Sequence, residues 1–313
     1  MEQNNKKSLM TNILTMCSIG YMVFLLFFVA SALNSKDGGI PIMANVKVEK
    51  NNNAFNNLNI EAKSVIVYDI NSNKILYGKN ENERMPLASL TKIMTAVTAL
   101  KLAPKDLEVP IMSSFIIDNN GLKANDKWKL GTLLSYTLIV SSNDGARSVA
   151  SVIGAKALGG SYENGNKWFV DQMNKQARAI GDSDVYFYNE TGLDIDKTTN
   201  GGMGSALGVV KMFVYAFKQY PEIFEITNKS SISLNSISGA RFDAKNTDKI
   251  ASLIPGLLAS KTGLEDTAGG NLAVIFDSGL NKPIAIVVLG STAEGRFKDV
   301  LTLASSTLSY LKQ

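Results

Sequence analysis

The chain has no histidine in its 313 residues. That removes every catalytic triad or dyad whose base is imidazole, and every zinc site built on histidine. It has one cysteine, Cys17, so neither an intramolecular disulfide nor a cysteine cluster for a metal is available. Charge is sparse as well. Asp, Glu, Lys and Arg make up 19% of the chain, and 32 basic against 28 acidic residues leave a net charge of +4. Apart from Lys6-Lys7 there is no dense basic run, so the sequence carries no footprint of nucleic-acid binding. A hydrolase built on this chain must take its base from lysine or a carboxylate, and its fold must rest on a core alone. With 45% hydrophobic residues the material for that core is present.

A further absence is local. Residues 8–35 contain no charge, a run of 28, and the centre of the run, 13–33, is apolar enough to span a bilayer as a helix. Lys6 and Lys7 precede it, which places residues 1–12 in the cytoplasm and the bulk of the chain outside. The competing reading is a cleaved signal peptide, with Ala30-Ser31-Ala32 as the small-residue cleavage site. The run exceeds the usual signal core, so the expectation is a single-pass cell-membrane protein, with secretion after cleavage as the alternative. Cys17, preceded by bulky Met16, reads as an inert membrane residue rather than a lipidation site. Residues 34–60, with Gly38-Gly39, Pro41 and the asparagine-rich NNNAFNNLN, read as a linker. A folded domain is expected over 61–313.

Within that domain, 64–69 and 74–78 are β-branched runs around the turn Asn71-Ser72-Asn73, a hairpin signal. An apolar helix follows from the segment MPLASLTKIMTAVTAL (85–100). Residues 129–157 carry two helical patterns broken by Ser141-Ser142-Asn143-Asp144, which marks a short loop held up by a helical layer. Helices are expected over 166–180 and 205–219, with a glycine-rich loop between them. Strands return at 257–263, 271–277 and 283–291, the last two as a hairpin, before a helix over 294–311. Strands, a helical block, then strands and a helix predict an α+β sandwich. Its antiparallel sheet would be formed by the N- and C-terminal segments, flanked by helices around a largely helical insertion.

Three short motifs stand in this frame. Ser89 and Lys92, three apart near a helix start, share one face, so the amine reaches the hydroxyl. Ser141-Ser142-Asn143 occupies the loop between two helices, and Lys261-Thr262-Gly263 a strand. Alone, the first reads as a serine cap with a solvated lysine, and Ser233-Leu234-Asn235 repeats the second pattern without its helix-loop-helix setting. Together, with no histidine to compete, they point to an activated serine. Ser89 is a poor nucleophile until a base removes its proton. Lys92 is that base only if its amine is neutral in a useful fraction of molecules; burial and a second cation lower a lysine pKa, and Lys261 is the natural source of that field. Asn143 also reads as a helix cap, Asp144 as a helix-start carboxylate, and Glu190 and Glu265 as loop residues.

The segments PLASLTKIMTA (86–96), LIVSSNDGA (138–146), YNETGLD (188–194) and KTGLEDTAGGNLA (261–273) resemble the penicillin-binding DD-peptidases and serine β-lactamases, and most closely the low-molecular-mass D-alanyl-D-alanine carboxypeptidases. The resemblance covers roughly residues 60–313 and implies a β-lactamase/transpeptidase-like fold without metal or cofactor. It implies an acyl-enzyme on Ser89, with Lys92 as base. Ser141 would relay a proton to the leaving group, and Asn143 would fix the substrate amide. Lys261 and Thr262 would hold a terminal carboxylate, and Gly263 would allow close approach of the substrate backbone. The N–H groups of Ser89 and Leu264 would form the oxyanion hole. The implied partners are a peptidoglycan stem peptide ending in D-Ala-D-Ala and β-lactams as inhibitors. Glu190 and Glu265 depart from the expected pattern. A DD-endopeptidase fits the same motifs. A class A-like β-lactamase would carry Glu-x-x-x-Asn after the Ser-x-Asn loop, and none of the glutamates at 163, 190, 222, 225, 265 and 294 has asparagine four residues on. A non-catalytic wall-binding protein is disfavoured, because every catalytic position is filled.

Overall fold

The computed structural model describes residues 53–118, 121–181 and 184–312. The expected membrane or signal segment at 13–33, the cytoplasmic stretch 1–12 and Cys17 lie outside the described residues. Among those described, no helix is long and apolar enough to cross a membrane.

The strands are β1 (Ser64–Asp69), β2 (Lys74–Lys79), β3 (Met85–Pro86), β4 (Glu108–Pro110), β5 (Lys127–Lys129), β6 (Tyr186–Phe187), β7 (Gly202–Gly204), β8 (Ser231–Asn235), β9 (Arg241–Lys245), β10 (Leu257–Glu265), β11 (Gly269–Asp277) and β12 (Pro283–Ser291). The helices are α1 (Thr91–Leu102), α2 (Leu130–Ile139), α3 (Asn143–Leu158), α4 (Tyr162–Ala179), α5 (Ala206–Gln219), α6 (Pro221–Phe224) and α7 (Gly295–Tyr310). The main sheet has the order β10-β11-β12-β1-β2. All of its neighbours are antiparallel, with Ile66 opposite Val287 and Ala273 opposite Val287 in turn. The N-terminal hairpin therefore completes a sheet begun by the last three strands, as the sequence pattern predicts.

Both faces of this sheet are covered, so its strands read as continuous apolar runs. Alternation still sorts the side chains. Val65, Val67, Leu272, Val274, Ile286 and Val288 face α7 in one cluster. Ile66, Tyr68, Ala273, Ile275, Ala285 and Val287 belong to the larger cluster with α1, α5 and the other helices of the insertion. α1 is buried from Thr91 to Ala99, which explains its lack of a polar face.

Two boundaries differ from expectation for identifiable reasons. The asparagine-rich stretch is not wholly empty of core: Phe55 stacks on Tyr77 at 5.3 Å, and Ile60 is buried. The hairpin β8–β9 was not expected although SISLN and RFDAK each alternate polar and apolar residues, and the pair β4–β5, three residues a strand, is too short to signal by pattern. β10 is an edge strand, so among the described residues its outer backbone groups meet no further strand; the Ser260 N–H donates to Thr227 Oγ1 at 2.8 Å.

Candidate active site

Ser89 lies in a 3-10 turn, Ala88–Leu90, that runs directly into α1, rather than in the helix itself. Its neighbour Ala88 has φ +49°, a left-handed conformation costly for any residue with a Cβ. Packing imposes it. Gly192, in the loop after β6, presses on this turn so closely that a Cβ there would lie 1.9 Å from the Ala88 carbonyl oxygen. The bland reading of Ser89 as a cap fails, since no side chain caps the N-terminus of α1.

One turn on, Lys92 is fully buried. Its Nζ donates to Ser89 Oγ at 2.8 Å, to Asn143 Oδ1 at 2.5 Å and to the Thr191 carbonyl at 2.7 Å. All three hydrogens of an ammonium would be engaged, yet no carboxylate touches it. Burial pushes its pKa down to about 7, against the opposing pull of Glu265, Asp118 and Glu190. Of the two causes expected, burial and a second cation, burial is the leading one. Lys261 is also held well below the ordinary lysine value, by burial and by the neighbouring charges of Lys92 and Arg296.

Lys261, on β10, donates to Ser141 Oγ at 2.8 Å and to the Thr262 carbonyl at 2.7 Å. Ser141 is itself left-handed, with φ +60°. Thr262 shares a hydrogen bond of 2.6 Å with Thr247, whose own N–H donates to the Ile139 carbonyl at the end of α2. The loop 140–142 and the first residue of α3 thus meet the two lysines: Ser141 faces Lys261, and Asn143 faces Lys92. Asn143 does not cap α3. Ser142 does, accepting from the Gly145 N–H at 3.0 Å, and so leaves the asparagine amide to the site.

Gly263 has a packing reason of its own beside the expected one. A Cβ there would meet the Leu87 carbonyl oxygen at 3.0 Å and the Ala88 Cβ at 3.2 Å. Its smallness lets β10 approach the turn that carries Ser89. The Gly263 carbonyl accepts from Arg296 Nη1 of α7. Leu264 is half exposed beyond it on the same edge strand.

Four contributors were not among the expected site residues. Asp118 accepts from the Asn143 amide, so Asn143 is oriented from both ends. Asp144, buried, accepts the N–H groups of Ile117 and Asp118 at 2.6 and 3.1 Å, and so fixes that loop. Thr191 and Arg296 act through a backbone contact on each side of the cleft. Two of them carried a signal, since Thr191 sits inside the YNETGLD segment and Asp144 inside LIVSSNDGA. Glu190 is a loop residue as expected, but a buried one, paired with Arg147 Nε at 3.1 Å. Glu265 is partly buried, and its pKa is raised by burial and by Asp194. No cluster of three or more acidic, Cys or His side chains is placed to hold a metal among the described residues.

Residues 49–293 match the family model described as D-alanyl-D-alanine carboxypeptidase. The chain is 30% identical over 257 residues to the D-alanyl-D-alanine carboxypeptidase DacF of Bacillus subtilis, a match covering 80% of this chain and 62% of that protein. It is 26% identical to the D-alanyl-D-alanine endopeptidase of Escherichia coli over 81% of this chain and 83% of that one. Its fold superposes on penicillin-binding protein D2 from Listeria monocytogenes in the ampicillin-bound form with TM-score 0.67 and 27% identity. That superposition covers 80% of this chain and 98% of the other.

Proposed function

Because the chain belongs to the D-alanyl-D-alanine carboxypeptidase family, we propose that it is a serine DD-carboxypeptidase that removes the terminal D-Ala from peptidoglycan stem peptides. The observation that carries this reading is the 2.8 Å contact between Ser89 Oγ and a buried Lys92 amine whose pKa lies near 7. At neutral pH a large fraction of such an amine is free to accept a proton.

The steps follow from the groups at hand. Lys92 takes the Ser89 proton as Oγ attacks the carbonyl of the penultimate D-Ala. The oxyanion forms at the start of α1, where backbone N–H groups and the helix dipole favour negative charge, with the Ser89 and Leu264 N–H groups as donors. Ser141, held by Lys261, passes a proton to the departing D-Ala amine. Asn143 positions the peptide, and Lys261 with Thr262 receives the terminal carboxylate. An arriving carboxylate would also restore the protonated form of Lys261, since it offsets the burial that depresses it. Water then hydrolyses the acyl-enzyme. A β-lactam, cyclic and unable to release its leaving group, would remain on Ser89; the ampicillin-bound relative supports that partner. A DD-endopeptidase acting on cross-links is the second reading, favoured by the similarity to an endopeptidase over 83% of its length.

We also propose that 13–33 tethers the catalytic domain to the outer face of the cell membrane, on the strength of the uncharged run of 28 residues. One experiment tests both. Cells producing the full chain or Ser89→Ala are labelled with a fluorescent penicillin and fractionated, and D-Ala release is measured on a D-Ala-D-Ala peptide and on a cross-linked dimer. The expected result is a Ser89-dependent label in the membrane fraction, at the mass of the uncleaved chain, with release from the linear peptide. Labelling that survives Ser89→Ala sinks the acyl-enzyme, cleavage of the dimer alone selects the endopeptidase, and a shortened, soluble labelled chain removes the anchor.

A further inference from the structure

A cavity of about 710 Å³ lies beside the Ser89 centre, and neither Ser89, Lys92, Ser141 nor Lys261 lines it. Its volume falls in the roughly 300–1,000 Å³ range of small-molecule sites. It is lined by exposed aromatic rings. Tyr186, on β6, and Tyr188, at the bend just after it, meet edge to face at 4.9 Å and are 42% and 50% exposed. A third ring, Tyr162 at the start of α4, is 39% exposed and is held by a T-shaped contact of 5.2 Å with buried Phe115. One exposed tyrosine needs no explanation; three lining one cavity do.

The polar part of the lining is mixed rather than of one sign. Asn166 and Asp171 come from α4, and Arg147 from α3. Arg147 is balanced by Glu190 through Nε, which leaves the other guanidinium N–H groups as neutralised donors. Lys167 is accompanied by Asp171 one turn on. An anion such as phosphate calls for uncompensated cations, and an extended peptide for a free strand edge. Flat aromatic faces beside interleaved donors and acceptors instead suit a pyranose ring. Its axial C–H face stacks on tyrosine, and its hydroxyl and acetamido groups need both kinds of partner.

The cavity is also mechanically joined to the catalytic centre. Asn189 and Glu190 line it, while the backbone carbonyls of Glu190 and Thr191 accept from Thr95 Oγ1 at 2.6 Å and Lys92 Nζ at 2.7 Å. A stem peptide spans no more than about 3.6 Å per residue. Its sugar attachment point and its D-Ala end reach two sites at once only if those sites are neighbours, which the shared segment makes them. We propose that this cavity binds an N-acetylated amino-sugar unit of the glycan strand that bears the stem peptide, so that the substrate is held by its sugar as well as by its terminal carboxylate. The identity of that polymer rests on the carboxypeptidase reading; the sugar chemistry rests on the tyrosines.

The test is titration of the full chain with N-acetylglucosaminyl-N-acetylmuramic acid and with the N-acetylglucosamine disaccharide, followed by NMR. Saturable binding in the millimolar range or tighter is expected. Ser89→Ala should retain it, and Tyr162→Ala and Tyr186→Ala should each weaken it roughly three- to tenfold. In parallel, kcat/KM for D-Ala release should be higher for a disaccharide-linked pentapeptide than for the free pentapeptide. Tyr162→Ala should remove that advantage while the rate of penicillin acylation stays that of the wild type. Absence of saturable sugar binding, or wild-type affinity in both tyrosine variants, overturns the proposal. Sugar binding without D-Ala release from either peptide would leave the cavity assigned and remove the carboxypeptidase reading, whereas D-Ala release without sugar binding would do the reverse.

Discussion

A lysine works as a base near neutral pH only if the protein makes its charged form costly. At Lys92 the cost is desolvation, and three carboxylates, Glu265, Asp118 and Glu190, limit how far the pKa falls, leaving it near 7. The sign of the pH dependence follows. Below 7 the amine is mostly ammonium and holds no lone pair for the Ser89 proton; above 7 it is mostly neutral. The acylation rate of the wild type by a penicillin should therefore rise about tenfold per pH unit below that value and level off above about pH 8. Lys92→Ala should lose both the rate and the slope. A stopped-flow or fluorescent-gel time course from pH 5.5 to 8.5 decides it, and a flat wild-type profile over that range would remove Lys92 as the base. The two lysines also differ in duty: Lys92 lies against Ser89 and Lys261 against Ser141, so their contacts share no oxygen.

The helices and strands bring these residues together by close approach as much as by side-chain bonds. The edge strand β10 meets the turn Ala88–Leu90 at Gly263, where a Cβ would lie 3.0 Å from the Leu87 carbonyl oxygen and 3.2 Å from the Ala88 Cβ. That turn is already held in a left-handed conformation at Ala88 and has little room to yield. Gly263→Ala should move the strand away from Ser89. It should cost about 1–3 kcal/mol in chemical denaturation and slow acylation at least about tenfold, since misplaced reacting groups lose rate steeply. Wild-type acylation in that variant would show that the approach does not matter. The element scale is also where the sequence was most and least readable. The hairpin β1–β2, the break between α2 and α3, and the three motifs carried local signals: period, caps and turn residues. What stayed hidden depended on partners distant in the chain. Ser142 and Asn143 are equally good caps in sequence, and only the packing of Lys92 and Asp118 assigns the cap to one and the amide to the other. That the loop residue Glu190 is buried and paired was hidden, because its partner Arg147 lies 43 positions earlier. The depression of Lys92 was foreseen, but not that burial would lead its causes, since depth of burial is a property of the assembled core.

At the scale of the molecule, the two ends of the folded domain close on each other, and the closure reaches the site. β1 pairs with β12, α7 covers their outer face, and Arg296 of α7 donates to the Gly263 carbonyl on β10. Asp299, also on α7 and buried, ties these pieces together. Its carboxylate accepts the N–H groups of Glu61 and Ala62 at 3.0 and 2.9 Å, just before β1, and Ser291 Oγ at 2.7 Å, at the end of β12. Replacing it with alanine would leave two backbone donors and a hydroxyl without their acceptor in a buried seam, at about 1–3 kcal/mol for each group left unsatisfied. Asp299→Ala should then lower stability by about 3 kcal/mol or more, which in a domain of this size is a fall in Tm of about 6–12 °C. Asp299→Asn, with one oxygen still able to accept, should recover part of it. Because Asp299 touches neither lysine nor Ser89, penicillin acylation at 20 °C should stay close to the wild-type rate in both variants while the folded state persists. A thermal melt with the acylation rate measured beside it separates the two effects. If Asp299→Ala melted like the wild type, the seam between the chain's ends would not be what holds the sheet closed. If it melted normally but acylated slowly, Asp299 would have to be counted among the residues that position the cleft through Arg296.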